Sequence, residues 1–496
     1  MIEKTLCATI LLAALSSTLW GTDHFLTIAG GYEPSGNQVS LEKNVVFYRN
    51  VLARAGFADS PHAVYFANGL SEHRDVQYEP SESQVPRAHE LMAKLFGTTE
   101  HQSLSYRKHK LTSLAGATTP ENLAKWFDDH ASTFQAGDRL ILYATAHGGK
   151  SNDKKDDGNT RLYLWNKRTV SVSQLQPHLE KLPAKVGVTL IMAQCYSGGF
   201  ANSVFNNANK EGGDFDRPVC GFFSTVPSRQ AAGCTPDIDE EDYDEFSSHF
   251  WAAIHGETRV GQPVESADYD ENGAVSFEEA FAYTVITSQN IDIPIRTSGV
   301  YLRARSKYRK DQPDNEQLFP QKSDYESVLA LANPVEAAML EALSSQLNLT
   351  NAQRYAESET AANQIEEKRK ELKAQSDEKK KRIEQLKKTL QRRARNQWPE
   401  LSNILSPTAV RLLTEQAEAF IAFVESQPEF AEWVALQSER DAIEEERFVL
   451  EKEWAKHIRF LRTHNNVILA KNLVTLADQD SIARYHALVD AERKAL

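Results

Sequence analysis

Between His24 and about Val300, short apolar runs alternate with amphipathic helical patterns, and this alternation leaves few architectures open. The runs His24–Ala29, Ala63–Ala67, Asp138–Ala144, Val186–Met192 and Val219–Thr225 are each long enough for one strand. Leu41–Leu52 has helical spacing, Ser173–Leu182 reads as a helix, and Thr119 caps another that Pro120 opens. Thr160–Trp165 reads as an edge strand or hairpin. Such an order predicts an α/β fold: a mostly parallel sheet with helices on both faces. In sheets of this kind ligands bind beyond the carboxyl ends of the strands.

The character changes past residue 325. No glycine follows Gly299, and Ala, Glu, Lys, Leu, Gln and Arg dominate. Ile365, Leu372 and Leu386, with the pair Ile383 and Leu390, keep sevenfold spacings. From Glu366 to Arg395 there are 13 basic and 6 acidic residues. Pro399 and Pro407 break that helix, and Glu429–Arg462 carries Trp433, Leu436, Ile443, Leu450, Trp454 and Phe460. Two long helices around a proline-marked turn predict a coiled-coil hairpin or small bundle. Such an arm either binds a protein partner or packs on the preceding domain with its charges in solvent.

The chain has 496 residues, too many for one compact core. Its formal charge of -13 excludes general nucleic-acid binding, which needs clustered positive charge. Lys4, then the uncharged run Leu6–Leu19, then Gly21 read as a secretory signal, which is too short for a comfortable membrane span. The expectation is an exported protein, periplasmic or secreted, with no membrane span once the signal is removed. The expected divisions are 1–21 signal peptide, 22–305 α/β domain, 306–325 linker and 326–496 helical region. Cleavage removes Cys7 and leaves Cys195, Cys220 and Cys234.

Two strand ends carry reactive side chains. Ala144-Thr145-Ala146-His147-Gly148-Gly149 follows the third strand, and Met192-Ala193-Gln194-Cys195-Tyr196-Ser197-Gly198-Gly199 follows the fourth. His147 and Cys195 lie 48 positions apart, separated by one hairpin and one helix, so the strands that deliver them are expected to be neighbours. A thiolate is a strong nucleophile, and imidazole moves protons near neutral pH. A helix beginning after Ser197 would lower the thiol pKa through its positive end. The glycines let a substrate backbone approach, and the amides of Gly148 and Cys195 can face a developing oxyanion, where such donors contribute about 3 kcal/mol.

With those residues in view, the chain resembles the caspase-like cysteine peptidases: caspases, metacaspases, the gingipain and clostripain types, and the legumain (C13) family. The resemblance covers roughly residues 24–305 and is specific at the two motifs. The sequence Ala-Gln-Cys-Tyr-Ser-Gly-Gly differs from the caspase pentapeptide and is closer to bacterial caspase-like and C13-like proteins. The resemblance implies a caspase-like sheet followed by the helical region, and an endopeptidase acting on a protein or peptide substrate. It implies that Cys195 attacks the scissile carbonyl, that His147 protonates the leaving amine, and that the Gly148 and Cys195 amides hold the oxyanion. Family members often add a third residue after the first strand, and Asn37 is the nearest candidate. The resemblance also places the P1 pocket walls after the first and fifth strands. The latter segment begins at Ser224 and contains Asp237, Asp239, Glu240, Glu241, Asp242, Asp244 and Glu245. Asp244 is the single residue best suited to a basic P1 side chain. A solvated acidic loop, an Asn-specific pocket and an acid-specific pocket through Arg229 stay open. Cys220 and Cys234 bracket this segment, either disulfide-bonded or free.

A second motif is Asp268-Tyr269-Asp270-Glu271-Asn272-Gly273-Ala274-Val275-Ser276-Phe277-Glu278-Glu279. It matches a twelve-position Ca²⁺ loop. Asp268, Asp270 and Asn272 supply side-chain oxygens, Ala274 a carbonyl, Ser276 a direct or water-mediated ligand, and Glu279 a bidentate carboxylate. The loop resembles an EF-hand or dockerin-type site, with Phe246–Ile254 and Phe277–Ile286 as the flanking helices, the entering one separated from the loop by Gly256 to Pro263. The bland reading is an acidic helix cap. The composite expectation is an exported, calcium-binding cysteine endopeptidase. The rival is an inactive scaffold on the same fold that works through its helical arm.

Overall fold

The computed structural model describes residues 21–81, 85–97, 103–306 and 317–496. Residues 1–20 of the signal segment and 307–316 of the 306–325 stretch therefore lie outside the described residues.

The strands are β1 (Asp23–Gly30), β2 (His62–Phe66), β3 (Val76–Tyr78), β4 (Ser105–Arg107), β5 (Arg139–Ala146), β6 (Gly148–Gly149), β7 (Arg161–Leu164), β8 (Arg168–Ser171), β9 (Gly187–Met192), β10 (Val219–Phe223) and β11 (Ile295–Arg296). The helices of the α/β part are α1 (Val39–Arg54), α2 (Arg87–Phe96), α3 (Pro120–His130), α4 (Val172–Leu179), α5 (Phe246–His255), α6 (Phe277–Thr287) and α7 (Thr297–Arg305). Then follow α8 (Tyr325–Leu329), α9 (Pro334–Gln346), α10 (Arg354–Gln397), α11 (Pro407–Leu413), α12 (Ala417–Glu425), α13 (Phe430–Leu476) and α14 (Gln479–Glu492).

The five apolar runs form one sheet, in the order β11-β10-β9-β5-β1-β2. β1, β2, β5, β9 and β10 are mutually parallel, and only the short β11 runs the other way. Both faces of β5 and β9 are buried, which explains why those strands read as continuous apolar runs. One face packs α3, α4 and α7 through Leu123, Phe127, Leu175 and Tyr301. The other packs α1, α5, α6 and α9 through Tyr48, Trp251, Phe281 and Leu340. Thr119 caps α3 by accepting from Asn122 N–H, with Pro120 in the first turn. Thr160–Trp165 contributes β7 to a three-stranded antiparallel sheet, β6-β7-β8.

The helical region is joined to the α/β part along much of its length. α10 and α13 form the hairpin, with Arg382 and Lys379 of α10 paired to Glu432 and Glu439 of α13. The C-terminal half of α13 enters the sheet core through Phe460, Val467 and Ile468. Glu492 of α14 is fully buried and accepts from Thr297 Oγ1, Ser298 N and Ser298 Oγ. At the far end of the hairpin, α2 lays Ala88, Leu91, Met92 and Leu95 against Leu386, Leu390, Leu412 and Phe420. The apolar face of α2 thus has no partner in its own sheet and finds one on the hairpin. Among the described residues, no helix is long and apolar enough to cross a membrane.

Candidate active site

β5 and β9 are hydrogen-bonded neighbours, with Ala144 opposite Met192. His147 follows β5 directly, Cys195 lies three residues past the end of β9 at the same edge, and both are half-buried. A Cβ on Gly148 would fall 1.9 Å from the Cys195 carbonyl oxygen, so only glycine lets the two strand ends lie this close.

The imidazole is held from the side of β1. His147 Nε2 lies 2.7 Å from the Gly36 carbonyl oxygen and 2.9 Å from Gln38 Oε1, and the Tyr32 ring packs edge-on at 5.2 Å. A carbonyl only accepts, so Nε2 carries the proton and Nδ1 is the basic nitrogen. Burial lowers the His147 pKa, partly offset by the Gly36 hydrogen bond.

The thiol is covered by the loop that follows β10. Ala231 N–H donates to Cys195 Sγ (3.3 Å) and Sγ lies 3.7 Å from Ala231 O, while Tyr196 N–H donates to Arg229 O (2.8 Å). Tyr196 is left-handed at φ 59°, a strained turn for a non-glycine residue directly beside the sulfur. The segment after Ser197 is a 3-10 helix, Ser197–Val204. The lowered thiol pKa expected from a helix there is not found. Burial pushes the Cys195 thiol up, opposed by the Ala231 N–H and reinforced by the Asp292 carboxylate. No hydrogen bond joins the imidazole to the thiol among the described residues.

Asn37 does not orient the imidazole. It is fully buried, its Oδ1 accepts from Gly31 N–H (2.9 Å) and its Nδ2 donates to Asp75 O (3.1 Å), so it braces the turn that presents Gly36. Ser224 is fully buried and hydrogen-bonded to Ser197 Oγ (3.0 Å) and Gln194 O (3.1 Å), which supports the loop after β9 and leaves no free wall group. Asp244 borders a hollow of about 200 Å³ beside Ala232, whose other walls include Asp237, Asp242, Phe448 and Lys452. Its carboxylate is already engaged by His249 Nε2 (2.7 Å) and Gln289 N–H (3.3 Å). Burial pushes its pKa up, yet the His249 hydrogen bond and charge outweigh that and hold it below the usual carboxylate range. Asp237 Oδ1 accepts from Asp239 N–H (2.9 Å), and Asp242 is exposed. Cys220 and Cys234 are both free thiols. Cys220 sits inside β10 against Thr189 Oγ1 (3.5 Å), its pKa pushed up to about 12 by burial, whereas Cys234 packs with the Ala29, Val39 and Trp165 cluster.

Arg229, the residue named for an acid-specific pocket, is ion-paired to Glu451 and lies over the Trp454 ring at 4.7 Å, both on α13. The structure adds groups that the sequence left without a role at the site. Arg459, also on α13, donates to the carbonyls of Ser288 (2.7 Å), Asn290 (3.0 Å) and Asp292 (2.8 Å). Asp292 Oδ1 accepts from Ala232 N–H (2.7 Å). The one sequence signal was a lone carboxylate amid apolar neighbours in Ile291-Asp292-Ile293-Pro294.

In the acidic loop, side-chain oxygens of Asp268, Asp270 and Glu279 lie within 4.8 Å of one another. Asp268 Oδ2 accepts from Gly273 N–H (2.9 Å), Asn272 Oδ1 from Ala274 N–H (3.0 Å), and Glu279 Oε1 from Tyr269 N–H (2.8 Å). An all-oxygen, strongly acidic donor set suits a hard divalent cation. Ser276 is the N-cap of α6: its hydroxyl accepts from Glu279 N–H (3.2 Å) and donates to Glu279 Oε2 (2.9 Å), so it serves the cap instead of pointing at the cluster. α5 ends at His255, well before the loop, so the entering helix of an EF-hand does not adjoin it.

No protein-family model matches the chain, and no curated protein matches it. Among solved structures, a crystal structure of protein GSU0716 from Geobacter sulfurreducens aligns at 11% identity and a TM-score of 0.30, covering 55% of this chain and 92% of that one.

Proposed function

We propose that this chain is an exported cysteine endopeptidase of the caspase-like type, closest to the bacterial and legumain (C13) forms. The observation that supports it is the pairing of β5 with β9, which brings the segments carrying His147 and Cys195 to the same carboxyl edge of a parallel sheet. In this reading His147 Nδ1 takes the thiol proton and returns it to the leaving amine. The sulfur forms the acyl-enzyme, and the Cys195 N–H, with Gly148 N–H, meets the oxyanion. The hollow with Asp237, Asp242 and Asp244 suits a basic P1 side chain. The loop 268–279 binds one Ca²⁺ through Asp268, Asp270, Asn272, the Ala274 carbonyl and Glu279.

The decisive experiment is hydrolysis of fluorogenic peptides varied at P1, with wild type and Cys195→Ala, with and without calcium. Thiol-dependent cleavage is expected, strongest after Lys or Arg. Absence of such cleavage for every P1 type would overturn the reading.

The capped, protonated thiol favours a second reading, a scaffold that has lost turnover. An acyloxymethyl ketone probe separates the two: labelling of Cys195 that His147→Ala abolishes favours the enzyme.

A further inference from the structure

The carboxyl group of Asp292 is 1% exposed, and only one of its oxygens is satisfied. Oδ1 accepts from Ala232 N–H, whereas Oδ2 is buried without a hydrogen-bond partner. An orphaned buried carboxylate oxygen is costly, and such groups persist where a site needs them. Arg459 could have paired with this carboxylate, yet its guanidinium is spent on the backbone carbonyls of residues 288–292. The arginine fixes the chain that carries Asp292 and leaves the carboxyl group itself without a salt bridge.

The other end of this connection is the sulfur. Ala232 follows Ala231, whose N–H and carbonyl both bracket Cys195 Sγ. A single hydrogen bond therefore links Asp292 to the segment lying on the thiol. We infer that Asp292 is a positioning residue for Cys195, one that fixes the covering segment and, by gaining or losing its proton, sets how readily the sulfur ionises.

Asp292 is suited to that task near neutral pH. Burial raises its pKa to about 7, against the Ala232 N–H and the Arg459 charge, with Asp244 and Glu245 adding to the rise. The charged groups facing it are Arg459 from α13, Asp244 and Glu245 from the segment before α5, and Cys195 itself. Once ionised, Asp292 opposes the thiolate. The sulfur is thus easier to ionise, relative to pH, below 7 than above it. This inference rests on the peptidase reading only in taking Cys195 for the nucleophile.

The test is the rate of iodoacetamide alkylation at Cys195 between pH 5.5 and 9.5, read by peptide mass spectrometry on the full chain. Alkylation needs no turnover, so the peptidase reading can fail while this one stands, and the reverse. For wild type the logarithm of the rate should climb with pH, flatten near 7 and climb again. Asp292→Asn keeps the acceptor for Ala232 but cannot ionise, so its profile should be straight and its rate at pH 8.5 about three- to tenfold higher. His147→Ala should keep the flattening, which excludes the imidazole as its source. Arg459→Gln should move the flattening to higher pH and Asp244→Asn to lower pH, and these two variants carry the test if Asp292→Asn does not fold. A wild-type profile without a break near 7, a break that survives Asp292→Asn, or one unmoved by Arg459→Gln and Asp244→Asn overturns the inference.

Discussion

His147 Nε2 donates to the carbonyl oxygen of Gly36 at 2.7 Å, so a backbone atom on the loop after β1 fixes the tautomer of the side chain after β5. The proton-accepting nitrogen is thereby assigned to Nδ1 without a carboxylate partner. Removing the imidazole with His147→Ala should cut kcat/KM by about 10²–10⁴, the usual worth of a general acid–base. Gln38→Ala, which removes only the auxiliary acceptor, should cost no more than about tenfold. Equal losses in the two variants would show that the Gly36 carbonyl is not the principal anchor.

Calcium binding at the proposed site in loop 268–279 can be tested on stability alone. Saturating calcium should raise Tm by about 3 °C, since ligand at a hundred times Kd stabilises by about 2.7 kcal/mol. EGTA should reverse the rise, and Glu279→Gln or Asp270→Asn should abolish it. A Tm indifferent to calcium, with no heat on titration, would leave the acidic loop as a helix cap.

Arg296 is the hub of a buried charge cluster. It is 5% exposed and pairs with Glu278, with Glu336 at 3.5 Å and with Glu492 at 3.6 Å, while Arg493 closes on Glu278 at 2.8 Å. Those carboxylates hold the Arg296 pKa up despite its burial. Arg296→Met should destabilise the fold by about 3–5 kcal/mol in urea unfolding, because three carboxylates lose their shared cation. A change below about 1 kcal/mol would mean that the cluster contributes little.

His464 predicts an acid weakness. It is fully buried between Tyr355 and Phe460, and burial pushes its pKa down to about 4. A histidine with a depressed folded pKa contributes no penalty above the unfolded value of about 6.5 and loses stability as pH falls from there to about 4. Between pH 7.5 and 5.0 the loss from this residue should be about 2 kcal/mol. His464→Phe should therefore show a shallower decline by about that amount, and parallel declines would remove His464 as the cause.

The sheet was legible because its strands are apolar on both faces, and because turn and cap residues such as Thr119 and Pro120 act locally. The position of His147 and Cys195 followed from chain order alone, since one crossover between parallel strands makes neighbours. What could not be read was the support around them. Gly36 acts through a carbonyl, which has no side-chain signature, and Asn37 beside it was the more visible residue. Ala231 covers the sulfur with backbone atoms. Glu451, Trp454 and Arg459 lie more than 250 positions from Cys195, and only the folded chain brings them near. The thiol pKa was misjudged because the helix expected after Ser197 is of the 3-10 kind and the sulfur is buried. Whether the hairpin stands apart or packs on the preceding domain stayed open in the sequence because its heptads are local, whereas the contacts that merge it with the sheet, Glu492 with Ser298 and Phe460 with the core, are not.

α13 runs unbroken for 47 residues. Trp433, in the cluster that holds α2, and Glu451, which grips Arg229, stand on this one rod about 27 Å apart. An unbroken helix joins the two places, so tilting its outer end acts on its inner stretch as well. Whatever pries α2 from the hairpin will therefore be felt at the sulfur, and the two places, remote in sequence and in space, should respond to mechanical or chemical insult as a single body.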